Sequence, residues 1–194
     1  MTKLNRCGWC SDDSLMQDYH DHEWGVPVYD DRKLFEFITL EGAQAGLSWS
    51  TILKRREHYR QAFDNFETEK IAAYDTTKIE QLLSNAGIIR NRLKVVGTVK
   101  NAQAFLRVQA EFTTFASYMW QFVGGKPIIN HRENLKQIPV STPASQAMAK
   151  DLKKRGFNFM GPTICYAHMQ AVGMVNDHTV DCFRYKTPLT LSEV

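Results

Sequence analysis

The decapeptide Leu40-Glu41-Gly42-Ala43-Gln44-Ala45-Gly46-Leu47-Ser48-Trp49 closes one helix, turns, and opens another. Upstream of it, Asp31 to Ala45 reads as an amphipathic helix whose apolar stripe runs Leu34, Phe37, Ile38 and Ala45. With about 3.6 residues per turn, Glu41 falls near the middle of that stripe, away from a polar side that carries Arg32 and Glu36. An ionised carboxylate in apolar surroundings is costly unless something neutralises or hydrogen-bonds it. Its partner is either an arginine of the protein or a bound ligand. Gly46 suits the C′ position of this helix, and Ser48 the N-cap of a next one that begins near Trp49 and runs through Thr51, Ile52, Leu53 and Tyr59. Leu47 then stands on a tight turn, as a staple between helices or as a wedge, and Trp49 serves as core or pocket wall.

The rest of the chain also carries helical periodicity, over Thr68 to Tyr74, Thr77 to Ala86, Asn91 to Val108 and Phe112 to Val123. Ser141-Thr142-Pro143 opens a further helix with a capping hydroxyl and a proline in the first turn, and Gly156 ends it after Lys153-Lys154-Arg155. A last one runs from about Thr163 to Gly173. The connection between Gly124 and Pro139 is irregular and long enough to hold short extended pieces. Leu82 to Arg92 describes a helix, a turn at Gly87 and a second helix from near Asn91. Such a junction can offer backbone N–H groups to a phosphate, with Arg90 and Arg92 adding charge.

At 194 residues and 43% hydrophobic content, the chain suffices for one compact domain or two closely packed lobes. No segment approaches the roughly 20 apolar residues of a membrane helix, so an intracellular protein without a membrane partner is expected. A net charge of +3 permits a nucleic-acid partner without requiring one. The basic runs Lys54-Arg55-Arg56, Arg90 with Arg92 and Lys94, and Lys150 with Lys153, Lys154 and Arg155 read as solvated helix faces.

The four cysteines, at 7, 10, 165 and 182, do not form a disulfide framework. His178 and Cys182, four residues apart, would be neighbours on one helical face, and Cys7 precedes His20 by thirteen residues. Together these make a Cys2His2 set able to close around a metal and tie the chain ends together. Cys10, as part of Cys7-Gly8-Trp9-Cys10, and His22 are rival ligands.

These residues, together with Arg6-Cys7-Gly8-Trp9, Tyr19-His20-Asp21, Glu23-Trp24-Gly25-Val26-Pro27, Ala86-Gly87-Ile88-Ile89-Arg90, Lys153-Lys154-Arg155-Gly156-Phe157, Thr163-Ile164-Cys165-Tyr166 and Val175-Asn176-Asp177-His178, resemble the bacterial 3-methyladenine DNA glycosylases of type I. The resemblance spans about residues 6 to 185. It implies an all-α helix-hairpin-helix DNA glycosylase fold with a zinc-tethered lobe built from the two terminal segments. The expected layout is one catalytic unit over about 1–187, a hairpin lobe at about 30–115, a zinc lobe from about 1–29 and 116–187, and a tail at 188–194.

By the same resemblance, Cys7, His20, His178 and Cys182 would hold one structural Zn2+. Trp9, Tyr19, Glu41 and Trp49 would form the base pocket, with Glu41 as the catalytic carboxylate, and Leu47, Gly46, Gly87, Arg90 and Arg92 would meet DNA. The implied activity is that of a monofunctional cytoplasmic repair enzyme, a monomer that flips 3-methyladenine from double-stranded alkylated DNA and hydrolyses its glycosidic bond. Free base and an abasic site would be the products. Asn91 to Phe112 contains no aspartate, so the catalytic aspartate that many helix-hairpin-helix glycosylases carry after the hairpin is missing. Met16 stands where relatives can carry an aromatic residue at the pocket rim. A non-catalytic binder of alkylated DNA would keep the fold and Leu47 but lose pocket residues, all of which are present. A zinc hydrolase would need an open coordination position, whereas four ligands can be named.

Overall fold

The computed structural model describes residues 4–10 and 12–186, so the expected tail at 188–194 lies outside the described residues. Among them are ten α-helices: α1 Ser14–His22, α2 Asp31–Gln44, α3 Trp49–Leu53, α4 Arg56–Ala62, α5 Thr68–Ala72, α6 Thr76–Ser84, α7 Arg92–Phe112, α8 Phe115–Trp120, α9 Pro143–Lys154 and α10 Pro162–Ala171. Two short strands, β1 Ile128–Ile129 and β2 Val175–Asn176, pair in parallel and are a small departure from an all-helical chain. The first lies where extended pieces were expected, the second was not foreseen, and the pair docks the 124–139 connection beside the residues that lead into His178. No helix is long and apolar enough to cross a membrane among the described residues.

The central element is α2, which packs against α3, α7, α8 and α10. Asp30 caps its start, accepting from Lys33 N, and every residue from Leu34 to Ala43 is buried. Burial on all sides overturns the expectation of a solvated polar side. Glu36 lies inside, accepting from Arg56 Nε at 2.7 Å, while Arg56 also donates to both carboxylate oxygens of Glu23 at 2.7 and 2.8 Å. Arg56, with Lys33 beside both carboxylates and Arg60 on Glu36, balances the two negative charges and makes the burial of Glu36 tolerable. Asp31 closes the far corner, accepting from Phe115 N and Ala116 N at the start of α8 at 2.7 and 2.8 Å.

Other boundaries moved for local reasons. The helix expected from Trp49 through Tyr59 breaks into α3 and α4 at Lys54 and Arg55. There Lys54 pairs with Asp13 and Arg55 turns toward the α6–α7 junction. Helix α7 runs past Val108 to Phe112, because Phe105 and Val108 extend its buried side, and stops where Thr113 takes a positive φ of 72°. Helix α1 had no counterpart in the sequence pattern: only Met16, Tyr19 and His20 are buried on it, too short a stripe to read, although Asp13 caps it. Part of each basic run is engaged, while Arg90, Lys150, Lys153 and Lys154 are exposed as expected of solvated faces. Besides Arg56 and Lys54, Arg92 pairs with Glu80, and Arg155 pairs with Glu111 and Asp151.

Candidate functional site

Glu41 sits in the last turns of α2 with 3% of its surface exposed, and its Oε2 has no hydrogen-bond partner among the described residues. Burial alone pushes its carboxyl up to about 8, which favours the protonated form near neutral pH. The alternative of a structural carboxylate held by an arginine is realised next door, at Glu36, and not at Glu41.

Glu41 opens into a cavity of about 260 Å³ whose wall includes Trp9, Tyr19, Trp24 and Trp49. That volume approaches the ~300 Å³ lower end of small-molecule sites and suits one flat heterocycle better than a whole nucleotide. Tyr19 comes from α1, and Trp49 is the first residue of α3, oriented by Ser48, whose side chain accepts from Thr51 N as the N-cap. Tyr19 and Trp49 rings lie 5.2 Å apart, and Trp9 meets Trp24 edge-on at 5.0 Å. The indole Nε1 atoms of Trp9 and Trp49 are buried without acceptors among the described residues. The cavity thus combines aromatic faces, two unused donors and one unused carboxylate oxygen. Met16 is buried on α1 outside this wall. Trp24, Gln44, Ile138, Ala167 and Gln170 complete the wall and were not picked out from the sequence as pocket residues. Trp24 and Gln44 belong to quoted runs, but no local signal marks Ile138 or Gln170, which arrive by tertiary packing.

The turn beyond α2 follows the expected geometry. Gly46 takes φ +80°, a left-handed conformation suited to glycine, and Leu47, its N–H bonded to Gln44 O at 2.6 Å, is 40% exposed. The α6–α7 junction is a separate feature. Gly87 is required there, since a Cβ would lie 2.9 Å from His58 Cβ. The carbonyls of Ala86 and Gly87 accept from Arg55 at 2.9 and 3.3 Å, and Ile89 N donates to Tyr59 Oη at 3.1 Å. Arg90 and Arg92 are exposed at the foot of α7.

At the chain ends, one donor atom from each of Cys7, His20, His178 and Cys182 lies within 4.8 Å of the others, all four residues being buried. Cys7 Sγ is 3.4 Å from His178 Nδ1, and Cys182 Sγ is 3.5 Å from His20 Nε2 and 3.6 Å from His178 Nδ1. The rivals lie apart: His22 is exposed and contacts Asp18, and Cys10 Sγ donates to Met16 O. His178 to Cys182 is not the helical turn expected. It is a non-helical turn, closed by Cys182 N donating to Thr179 O at 2.8 Å and by the pairing of Thr179 with Arg132. Outer contacts orient the rings. His20 Nδ1 faces Asp21 at 2.8 Å, Asp21 is gripped by Arg6, and His178 Nε2 faces the Trp24 carbonyl at 3.3 Å. Each histidine therefore turns its other nitrogen, as a lone pair, toward the cluster. Cys182 is pushed down, first by the hydrogen bond from the S–H of Cys7, while that same bond and burial push Cys7 up.

The methyladenine glycosylase family model matches residues 9–185 of this chain. DNA-3-methyladenine glycosylase 1 of Escherichia coli (strain K12) is 50% identical over 182 residues, covering 94% of this chain and 97% of that protein. Among solved structures, a 3-methyladenine DNA glycosylase I at 54% identity superposes with a TM-score of 0.90, covering 92% and 98% of the two chains. The 3-methyladenine DNA glycosylase I of Staphylococcus aureus, solved for the structural basis of its 3-methyladenine recognition, superposes at 0.92 with 35% identity over 96% of this chain and 99% of that one.

Proposed function

The chain belongs to the methyladenine glycosylase family, and we propose that it extrudes 3-methyladenine from alkylated double-stranded DNA into the Glu41 cavity and hydrolyses the glycosidic bond. The observation that carries this reading is the buried, unpartnered Oε2 of Glu41 in a cavity walled by aromatic rings. Methylation at N3 leaves adenine with a delocalised positive charge. The faces of Tyr19 and Trp49 attract such a cation, and its arrival reverses the burial penalty on the Glu41 carboxylate. As a carboxylate, Glu41 then accepts from the exocyclic amine of the base. Trp9 completes the pocket.

The chemistry needs little more. The electron pair of the bond between C1′ and the base departs with the base, which leaves neutral, and water adds to C1′ and loses its proton to solvent. Glu41 is catalytic in that it touches and electrostatically supports the departing base, and no covalent intermediate forms on the protein. Extrusion and orientation supply the rest of the acceleration. Leu47, on the Gly46 turn, is the wedge that fills the gap left in the duplex, and Gly87, Arg90 and Arg92 meet the DNA backbone. Arg90, which has no ion-pair partner among the described residues, is freer to do so than Arg92.

The terminal cluster fits zinc. Tetrahedral zinc with Zn–S ~2.3 Å and Zn–N ~2.0 Å requires S···N edges of about 3.5 Å. The three observed edges run from 3.4 to 3.6 Å. When bound, the ion would crosslink the two ends of the chain with no coordination position open to water. Cys7, His20, His178 and Cys182 would hold it and join about 1–29 to 116–187 as one lobe, beside the hairpin lobe at about 30–115. A cytoplasmic monomer is the form in which we expect this unit to work.

Substituting Glu41→Gln tests the reading. The fold should survive while free 3-methyladenine affinity and excision from methylated DNA both fall, the latter by about a hundredfold. Wild-type excision by that variant would remove Glu41 from the mechanism.

A further inference from the structure

The wedge turn is held from outside its own helices. Lys94, in the first turn of α7, reaches across to the end of α2, where its Nζ donates to the carbonyl of Ala43 at 2.8 Å and to that of Ala45 at 2.7 Å. These carbonyls belong to the C-terminal turn of α2, whose oxygens lack helical partners and carry the negative end of the helix dipole. The residues that follow Ala45 are Gly46, in its left-handed conformation, and Leu47. Lys94 is itself fixed at its root, since its backbone N–H donates to the N-cap side chain of Asn91 at 3.1 Å. A second link runs the other way, from Arg55 behind α3 to the carbonyls of Ala86 and Gly87 in the α6–α7 junction. The stretch from the end of α2 through α3 is therefore joined to the α6–α7 region at two places, by one cation from each side. Of the two, only Lys94 bonds the carbonyl directly preceding Gly46.

We propose that Lys94 is a positioning residue that sets Leu47 at the height needed to enter the duplex, and that it couples backbone contact at the α6–α7 junction to insertion of the wedge. This rests on the reading of Leu47 as a wedge given above. With the ammonium on its two carbonyls, α7 and the end of α2 move as one body, so docking the junction on a phosphate delivers Leu47 at a fixed distance and angle. Without it, the turn keeps Gly46 and its Ser48 cap but loses its tie to α7. Extrusion is then the step that suffers, and the base pocket, walled by other residues, is untouched.

The test uses Lys94→Met, which keeps length and removes the charge, Lys94→Arg, which keeps a donor, and each paired with Leu47→Ala. Wild-type release of 3-methyladenine from methylated duplex is the control: if it fails, the wedge reading fails before Lys94 is tested. Given that control, Lys94→Met should lower kcat/KM on methylated duplex by about ten- to a hundredfold. On methylated single strands, where no stacked gap has to be filled, and in affinity for free 3-methyladenine, it should stay within about twofold of wild type. Lys94→Arg should recover most of the loss. In the Leu47→Ala background, Lys94→Met should add little, because a residue acting through the wedge has nothing left to position. Equal losses on duplex and single strands, or losses that multiply with that of Leu47→Ala, would overturn the proposal. A melting curve for Lys94→Met separates a loosened turn from an unfolded protein, and Lys94→Arg carries the same comparison if the methionine variant does not fold.

Discussion

Cys7 and His178 stand 171 positions apart in the chain, yet Cys7 Sγ lies 3.4 Å from His178 Nδ1 in the buried interior. With Cys182 and His20 on the same cluster, the two ends of the described chain meet at one point.

Removing the metal should therefore cost stability before it costs chemistry. Chelation under mild denaturing conditions is expected to lower the melting temperature by on the order of 10 °C, equivalent to several kcal/mol for a chain of this size. The fraction still folded should release base at the wild-type rate. Calorimetry with and without chelator, beside elemental analysis giving one zinc per chain, checks this. An unchanged melting profile with full loss of turnover would mean a catalytic metal.

Glu41 imposes a stability cost that depends on pH. Its folded carboxyl lies at about 8, against an ordinary value of 4.5, so the stability linked to its protonated form is complete below about pH 4.5 and is lost as pH rises toward 8. Glu41→Gln should match wild type near pH 4.5 and exceed it increasingly above that, by roughly 2 kcal/mol or more at pH 8. Denaturant titrations at several pH values would show the gap widening. A gap of constant size would mean that the carboxyl stays ionised.

His168 has the opposite sign. It is fully buried on α10, neither ring nitrogen has a partner among the described residues, and burial pushes its pKa down to about 3 from 6.5. Unfolded chains bind its proton below pH 6.5 and folded ones do not, so its contribution is complete above that pH and drains away as pH falls toward 3. His168→Leu, close in volume and without polar nitrogens, should stabilise the protein by about 1 kcal/mol at pH 7 and by more at pH 5. Parallel stability curves for the two proteins between pH 5 and 7 would count against it.

The two buried carboxylates of α2 were separable in sequence only in part. Glu41 stood out because it interrupts an apolar stripe, whereas Glu36 fell on the opposite side and was read as solvated. That opposite side is covered by α4, whose Arg56 comes from a run that looked like surface charge. No periodicity within one helix reveals which second helix will cover it. The turn at Gly46 and the cap at Ser48 were legible because they are local backbone chemistry. The four sulfur and nitrogen donors were legible as residue types, but the route from His178 to Cys182 was not, since it depends on pairing with Arg132. Ile138 and Gln170 in the cavity wall are products of packing alone.

Arg56 itself should be among the most sensitive positions outside the pocket. Replacing it by methionine would remove the cation shared by Glu36 and Glu23 and leave them only Lys33 and Arg60, a loss short of the about 3–5 kcal/mol of a fully unpaired buried charge. Changing Glu36 to glutamine at the same time should restore part of that loss, which a double-mutant cycle in urea can measure. Independent, additive losses would show that the three groups do not act as a unit.

The central claim is that the Glu41 cavity selects and releases one alkylated base. The most direct measurement is chromatography of the bases set free when the purified, metal-loaded protein is incubated with methylated duplex DNA. Release of 3-methyladenine, with 7-methylguanine left in the strand, is the expected result. No released base from folded protein would contradict the account and leave a binder of alkylated DNA in its place.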